Sequence, residues 1–171
     1  MKLKTFILSL FIVGLTACGY KPSAHYVRAI FTDLVYVEVL IDKAEPENAP
    51  FLKDEMNRII YTRFKGRVAN KDQANSSIRV TYGGSTFTPL AYVDGYVTRY
   101  RANIKVHFDM QTKQGKLNKS IIAIVESDIQ ASSLTSSTLR TQAIAKGLEK
   151  ALDEFVAYIS AKGMMASEPS I

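Results

Sequence analysis

The sequence predicts an α+β fold, a two-layer sandwich in which two helices cover one face of a four-stranded, mainly antiparallel sheet. Three observations favour this fold. Within the predicted strand 97–110, residues 99–110 alternate polar and apolar side chains without a break, as a strand with one buried face does. Residues 50–65 and 139–159 repeat their apolar side chains at helical spacing. Shorter alternating segments between turn signals complete the order β-α-β-β-β-α.

The first strand and the first helix are predicted from a change of period. In residues 34–41 every second side chain is apolar and most are β-branched, which is typical of a strand. In residues 50–65 the apolar side chains follow helical spacing, and charged residues occupy many of the other positions. We expect Asn48 to cap this helix, Pro50 to suit its first turn and Gly66 to end it.

Two further strands follow a polar loop over residues 69–77. The first of them alternates from Ile78, and the pair Gly83-Gly84 allows a bend or a bulge within it. Residues 89–95 are predicted to connect it to the next strand, because the Asp-Gly pair at their end is a strong turn signal.

The last strand and the last helix complete the domain. Residues 112–116 are predicted as a hairpin loop, after which residues 120–131 return beside the preceding strand. The hydroxyl side chains of residues 132–138 are suited to cap the long helix that follows, and Gly163 is predicted to end it. Residues 164–171 are predicted to form a flexible tail.

The N-terminus has the three parts of a secretory signal. Lys2 and Lys4 precede an apolar run over residues 6–15, which falls well short of the ~20 residues needed to span a bilayer as a helix. Small residues then lead to Cys18, the only cysteine of the chain, which therefore has no internal disulfide partner. A free cysteine buried as a small apolar side chain is the alternative interpretation.

The predicted domain boundaries follow from these elements. Residues 1–17 are a signal peptide, 18–33 the new N-terminus and a linker, and 34–163 a single α+β domain. Removal of residues 1–17 takes away Lys2 and Lys4, so the mature chain has 20 basic and 16 acidic residues and a net charge of +4. That charge is too modest to indicate a nucleic acid as partner.

Residues that could support catalysis are sparse. His25 and His107 are isolated in the sequence, neither at metal-ligand spacing from another ligand. Carboxylates such as Glu126 and Asp128 alternate along a predicted strand, a pattern more typical of a solvated face than of an acid–base pair. The sequence therefore predicts no catalytic residues, no metal site and no cofactor.

One group of basic residues lies on a single strand face. Arg99, Arg101 and Lys105 share the polar side of the strand 97–110, and Arg79 is placed to join them from the neighbouring strand. Guanidinium groups held on a sheet can bind phosphates in a bidentate manner. Spacing alone favours the other interpretation, in which these residues are the solvated side of the sheet.

A resemblance to a known family rests on three segments. Residues 15–18, Leu-Thr-Ala-Cys, resemble the bacterial lipobox, in which the cysteine is acylated on sulfur and becomes the new N-terminus. With this motif, the order of elements resembles the LptE family of lipopolysaccharide-assembly lipoproteins. Residues 94–106 are similar to that family's Asp-Gly turn, Arg-Tyr pair and alternating strand, and residues 139–152 are similar to its last helix.

The resemblance implies a non-catalytic lipoprotein on the periplasmic side of the outer membrane, held by covalent lipid on Cys18. Gly19 fits the sorting rule that sends such proteins to that membrane. Members of the family sit as a plug inside the LptD β-barrel, which places lipopolysaccharide in the outer leaflet, and they have been proposed to bind lipopolysaccharide. The candidates for contact with its phosphates are then Arg79, Arg99, Arg101 and Lys105.

Two other functions stay open at this point. One is an auxiliary lipoprotein of a phospholipid-trafficking ABC transport system, which can also be small, lipidated and α+β. The other is a lipid-anchored enzyme acting on envelope glycans, which the missing acid–base residues disfavour.

Overall fold

The structure is a computed structural model that describes residues 23–41, 45–128 and 133–167. The predicted signal peptide, Cys18 and the last four residues lie outside the described part of the chain. In chain order the elements are α1 (Ser23–Ile30), β1 (Leu34–Ile41), α2 (Asn48–Thr62), β2 (Arg67–Val68), β3 (Ser76–Val93), β4 (Tyr96–Thr112), β5 (Gly115–Asp128) and α3 (Ser133–Ser167).

The strands form one mixed sheet with the order β2-β1-β3-β4-β5. β1 is parallel to both β2 and β3, because α2 crosses over between them, while β3, β4 and β5 are antiparallel neighbours. The α+β architecture with helices on one face is confirmed. The predicted number of four strands is wrong, since β2 has only two residues and is too short to show any periodicity.

Part of the segment predicted as a linker is helical. Residues Ser23–Ile30 form α1, which packs against the C-terminal part of α3. Val27, Ile30 and Phe31 are buried there. One short apolar pair at helical spacing is too weak a pattern to indicate a helix, so tertiary packing decides the outcome.

The hairpin of β3 and β4 is longer than predicted. Residues predicted to connect the two strands continue the ladder, and the turn contains only Asp94 and Gly95, both with positive φ (51° and 82°). This is the backbone that a two-residue type I′ turn requires. The expected irregularity at Gly83-Gly84 is confirmed, because the register shifts between Tyr82 and Ser85.

The first long helix begins at Asn48, which was predicted as its N-cap. Glu47 occupies the cap position, and Asn48 is a buried residue of the first turn whose Nδ2 has no hydrogen-bond partner, so the prediction of Asn48 as cap is wrong. At the other end, Lys65 takes the left-handed conformation (φ 54°) and the Gly66 amide donates to the Ile60 carbonyl. Gly66 thus lies just past the end of the helix, and Lys65 makes the turn.

The last helix continues through the glycine that was predicted to end it. Gly163 is buried four residues before the end of α3, and a Cβ at this position would overlap the carbonyl oxygen of Tyr26 in α1. Gly147 lies in similarly close contact with Ile104 of β4. Both glycines allow α3 to approach a neighbouring element, which sequence alone does not distinguish from a helix end.

The core lies between the helices and one face of the sheet. The Phe108 and Phe155 rings stack at 4.1 Å with an interplanar angle of 4°, which joins β4 to α3. Phe31 and Phe64 stack at 5.5 Å below them. The other face of the sheet has no helix of the described residues against it. None of the described helices is both long and apolar enough to cross a membrane.

Candidate functional site

The candidate site is the sheet face opposite the helices, which we call the outer face. β4 alternates strictly, so that its apolar residues are buried beneath α3 while its polar residues point outward. We call the end of the sheet where β1 and β3 begin the lower end, and the end with the Asp94-Gly95 turn the upper end. Along β4, from the upper to the lower end, the outer face carries Arg99, Arg101, Asn103, Lys105, His107 and Asp109.

The two upper arginines are paired with carboxylates of β5. The hairpin register sets Arg99 opposite Asp128 and Arg101 opposite Glu126. Arg99 Nε donates to Asp128 Oδ1 at 2.7 Å, and Arg101 Nη2 donates to Glu126 Oε1 at 2.9 Å. The hydrogen bond and charge of Arg99 lower the pKa of the Asp128 carboxyl below its usual value. The upper outer face is therefore close to neutral.

The other two basic candidates lie apart from this pair. Lys105 is on the same face, four residues or ~13 Å along β4 from Arg101. It forms no ion pair among the described residues, and its neighbour on β5 is the exposed Ile122. Arg79 lies opposite Asp109 at the lower end and donates to Glu38 at 2.7 Å. The structure therefore brings Arg99 and Arg101 together but does not bring Arg79 to them.

Arg79 belongs instead to a shallow cavity at the lower end of the outer face. The cavity has a volume of about 560 Å³. Its charged lining residues have both signs: Glu38, Lys71, Arg79, Asp109 and Lys116. Mixed charge of this kind does not select an anion.

His107 is not isolated in the fold. Its Nδ1 lies 2.7 Å from Ser120 Oγ and its Nε2 lies 3.1 Å from Asp109 Oδ1. The order Ser-His-Asp is that of a nucleophilic triad, but the histidine and aspartate side chains are 41% and 51% exposed on a flat strand face. Neither His107 nor Ser120 lines the cavity. The arrangement does not exclude water from Ser120 and thus lacks what such a nucleophile needs.

A second polar cluster joins the loop before α2, β3 and α3 near the middle of the β3–β4 hairpin. The Glu45 carboxylate accepts hydrogen bonds from Tyr82, from Ser85 Oγ at 2.8 Å and from Arg140 Nη2 at 2.8 Å. Burial alone raises the pKa of Glu45, but these three donors outweigh it and lower that pKa below its usual value. The Arg140 guanidinium also stacks on the Phe87 ring, 4.6 Å from its centroid. The carboxylate is fully engaged and ties α3 to the bulge of β3.

Within the described residues, no three His, Cys, Asp or Glu side chains are grouped so that they could hold a metal ion. The described part includes the backbone of His25 in α1 but not its side chain.

The sequence analysis did not identify the carboxylate partners of Arg99 and Arg101, although the position of the β4–β5 turn determines which residues of the two strands are paired. In a regular hairpin the two residue numbers of every pair add up to the same value. Once the turn is located, this rule therefore places Arg101 opposite Glu126.

Comparisons with known proteins give structural matches only, since neither protein-family models nor curated protein sequences match the chain. Rare lipoprotein B from Shewanella oneidensis superposes with a TM-score of 0.54 at 15% identity, covering 78% of this chain and 99% of that one. A lipoprotein B of Nitrosomonas europaea gives 0.52 at 16% identity, over 81% and 90%. A minor lipoprotein of Acinetobacter baumannii gives 0.52 at 13% identity, over 76% and 92%.

Identities this low establish a shared fold and leave function open. The matched regions cover nearly the whole of each solved lipoprotein domain, so the likeness concerns the entire architecture and not one motif. The chain therefore has the fold of the rare lipoprotein B structures, and the structural likeness to the LptE family expected from its sequence is confirmed at the level of the fold.

Proposed function

We propose that this chain is an outer-membrane lipoprotein that forms a complex with the LptD β-barrel and assists the transport of lipopolysaccharide to the outer leaflet. In this proposal the domain is the plug of the barrel and has no catalytic role. The observation that carries the proposal is the combination of a lipobox ending at Cys18 with the fold of rare lipoprotein B.

The outer face supports a role inside a barrel. It is broad, free of covering helices among the described residues, and rich in polar side chains that alternate in sign. The lumen of a large outer-membrane barrel is polar. A sheet face on which Arg79, Arg99 and Arg101 are each paired with a carboxylate can contact such a surface with few unpaired charges.

The lipid anchor has its own test. Mass spectrometry of the mature N-terminus should find residues 1–17 removed and acyl chains on Cys18. A Cys18→Ala protein should no longer partition with membranes, because the anchor is then absent. An unmodified cysteine in a membrane-bound mature protein would contradict the anchor.

We further propose that Arg99, Arg101 and Lys105 contact lipopolysaccharide phosphates, with Asp128 and Glu126 as internal competitors. Exposed ion pairs such as these two contribute only ~0–1 kcal/mol, so that a phosphate can displace a carboxylate from an arginine. Lys105 has no carboxylate partner in the described part of the chain and needs no such exchange. Arg79 lies at the other end of the face and is left out of this site.

This competition can be tested with two pairs of substitutions that should change lipopolysaccharide affinity in opposite directions. Reversal of both upper arginines (Arg99→Glu with Arg101→Glu) should weaken lipopolysaccharide binding at least tenfold. Neutralising their partners (Glu126→Gln with Asp128→Asn) should strengthen binding, because the arginines are then free. Arg79→Glu is the matched control and should leave binding near the wild-type value. Lipopolysaccharide affinity is measured by surface plasmon resonance. Equal affinity for all the folded variants would contradict the proposed ligand site.

A further inference from the structure

Basic residues are concentrated at the lower end of the molecule. Three segments meet there: residues 28–33, residues 63–72 and residues 113–116. Together they contain seven Lys or Arg and two Asp. We call this surface the basic end.

Direct contacts hold the three segments together. The backbone amide of Lys113 donates to the Ile30 carbonyl at 3.0 Å, and its Nζ donates to the Arg28 carbonyl at 2.8 Å. The Arg67 amide donates to the Asp33 carbonyl at 2.7 Å. The β4–β5 turn, the end of α1 and the β2 edge thus form one continuous surface, about three strand spacings or ~14 Å across.

The cations of the basic end are exposed and unpaired. Arg28, Arg63, Lys65 and Arg67 all face solvent, and Lys71 is exposed at the cavity that Glu38 and Asp109 also line. No ion pair among the described residues involves a cation of these three segments. Unpaired cations within about one Debye length of each other repel, and an anionic surface relieves this repulsion.

The upper end has the opposite character. Its arginines on the outer face, Arg99 and Arg101, are each bonded to a carboxylate. Asp94 in the turn adds a further negative charge there. The long axis of the sheet therefore runs from a positive lower end to a neutral or negative upper end.

The chain enters the fold at the basic end. α1 begins at Ser23 and packs its Tyr26 against Gly163 near the end of α3. Only five peptide units separate Cys18 from Ser23, which is a reach of at most ~18 Å in any conformation. A lipid on Cys18 therefore keeps the basic end close to the membrane surface.

We propose that the basic end binds the anionic phospholipid headgroups of the leaflet that holds the Cys18 lipid. This inference rests on the proposed lipid anchor. The headgroup phosphates pair with the lysines and arginines, and the pairing sets the long axis of the sheet upright on the membrane. Arg99 lies 14 residues along the chain from Lys113. In this upright orientation the upper arginines are therefore ~46 Å from the headgroups.

The test uses the chain from residue 18 with Cys18→Ser, which lacks the lipid but retains the buried core of the described residues, which extends from Val27 to Ile159. Its partition is measured by co-sedimentation with phosphatidylcholine vesicles, with and without one third phosphatidylglycerol, at low and high salt. We expect binding to the phosphatidylglycerol vesicles only, lost as salt screens the charges. Because neither barrel nor lipopolysaccharide is present, failure here would leave the proposed function untouched.

Two charge-reversed variants of equal net charge locate the effect. The first carries Arg63→Glu, Arg67→Glu and Lys71→Glu at the basic end. The matched control carries Lys53→Glu, Lys146→Glu and Lys150→Glu on exposed positions of α2 and α3. Each basic residue near an anionic surface contributes roughly fivefold, so the first variant should bind about 100-fold more weakly and the control should lose far less. Equal loss in both variants, or no preference for anionic vesicles, would overturn the proposal, and circular dichroism checks that both fold.

Discussion

At the scale of single residues, the two buried glycines of α3 are explained by close packing against neighbouring elements and not by the end of a helix. Gly163 has helical neighbours on both sides and lies against the backbone of Tyr26. A glycine late in a helical pattern normally indicates the end of the helix. Only the position of α1, which the sequence pattern did not indicate, explains why this glycine is internal.

Gly163→Ala should destabilise the protein. Alanine in place of glycine inside a helix ordinarily stabilises the helix by about 1 kcal/mol. A decrease in the free energy of unfolding would therefore indicate that the new side chain collides with Tyr26. We expect the free energy of unfolding to fall by about 1–3 kcal/mol, because the new Cβ forces α1 to move. Urea denaturation measures it, with the exposed neighbour Lys162→Ala as control, for which we expect less than about 0.5 kcal/mol. A more stable Gly163→Ala protein would contradict the packing described.

Glu45 should make stability depend on pH. Its pKa is lowered in the folded protein by three hydrogen-bond donors, so its contribution is present above the unfolded-state pKa and is lost as the pH falls through the lower folded value. Glu45→Gln should therefore cost about 1–3 kcal/mol near neutral pH. The difference between the two proteins should shrink steadily below about pH 4. A gap that stays constant in denaturation experiments from neutral to acid pH would show that ionisation of Glu45 is not involved.

At the scale of elements, strands with strong alternation were predictable and short or non-local elements were not. β1 matches its predicted range of 34–41, and the inner and outer sides of β4 are as expected. β2 and α1 are too short for any period to show, and they exist because neighbouring backbone and core surfaces stabilise them. The basic residues of the candidate site were visible in the sequence, but their ion pairs depend on the hairpin register.

The contact between β4 and α3 should dominate the stability of the sandwich. Phe155 is fully buried, and its ring stacks on Phe108 and lies 6.1 Å from Phe64. Phe155→Ala should lower the free energy of unfolding by about 3–5 kcal/mol, since it removes a large side chain that bridges both layers. Tyr61→Ala, on the exposed side of α2 at 54% exposure, is the control and should change it little. Comparable losses for the two variants would indicate that the core lies elsewhere.

At the scale of the whole molecule, the distribution of charge relates the fold to the membrane. The net charge is only +6, or +4 without the predicted signal peptide, and this figure hides the contrast between a basic end and an upper end where arginines are neutralised. Composition could not show this contrast, because it depends on which segments the topology brings together. The same topology points the β3–β4 hairpin away from the predicted lipid, where Tyr92, Val93 and Tyr96 are exposed at its tip.

The most direct test of the central claim is purification of the lipidated protein from the outer membrane in mild detergent, followed by mass spectrometry of its partners. We predict that one LptD-type β-barrel co-purifies in equimolar amount and stays bound through size-exclusion chromatography. The Cys18→Ala protein, which lacks the anchor, serves as the control for association after lysis. Recovery of the lipoprotein without a barrel, or with the components of a phospholipid-trafficking ABC system in its place, would contradict the account.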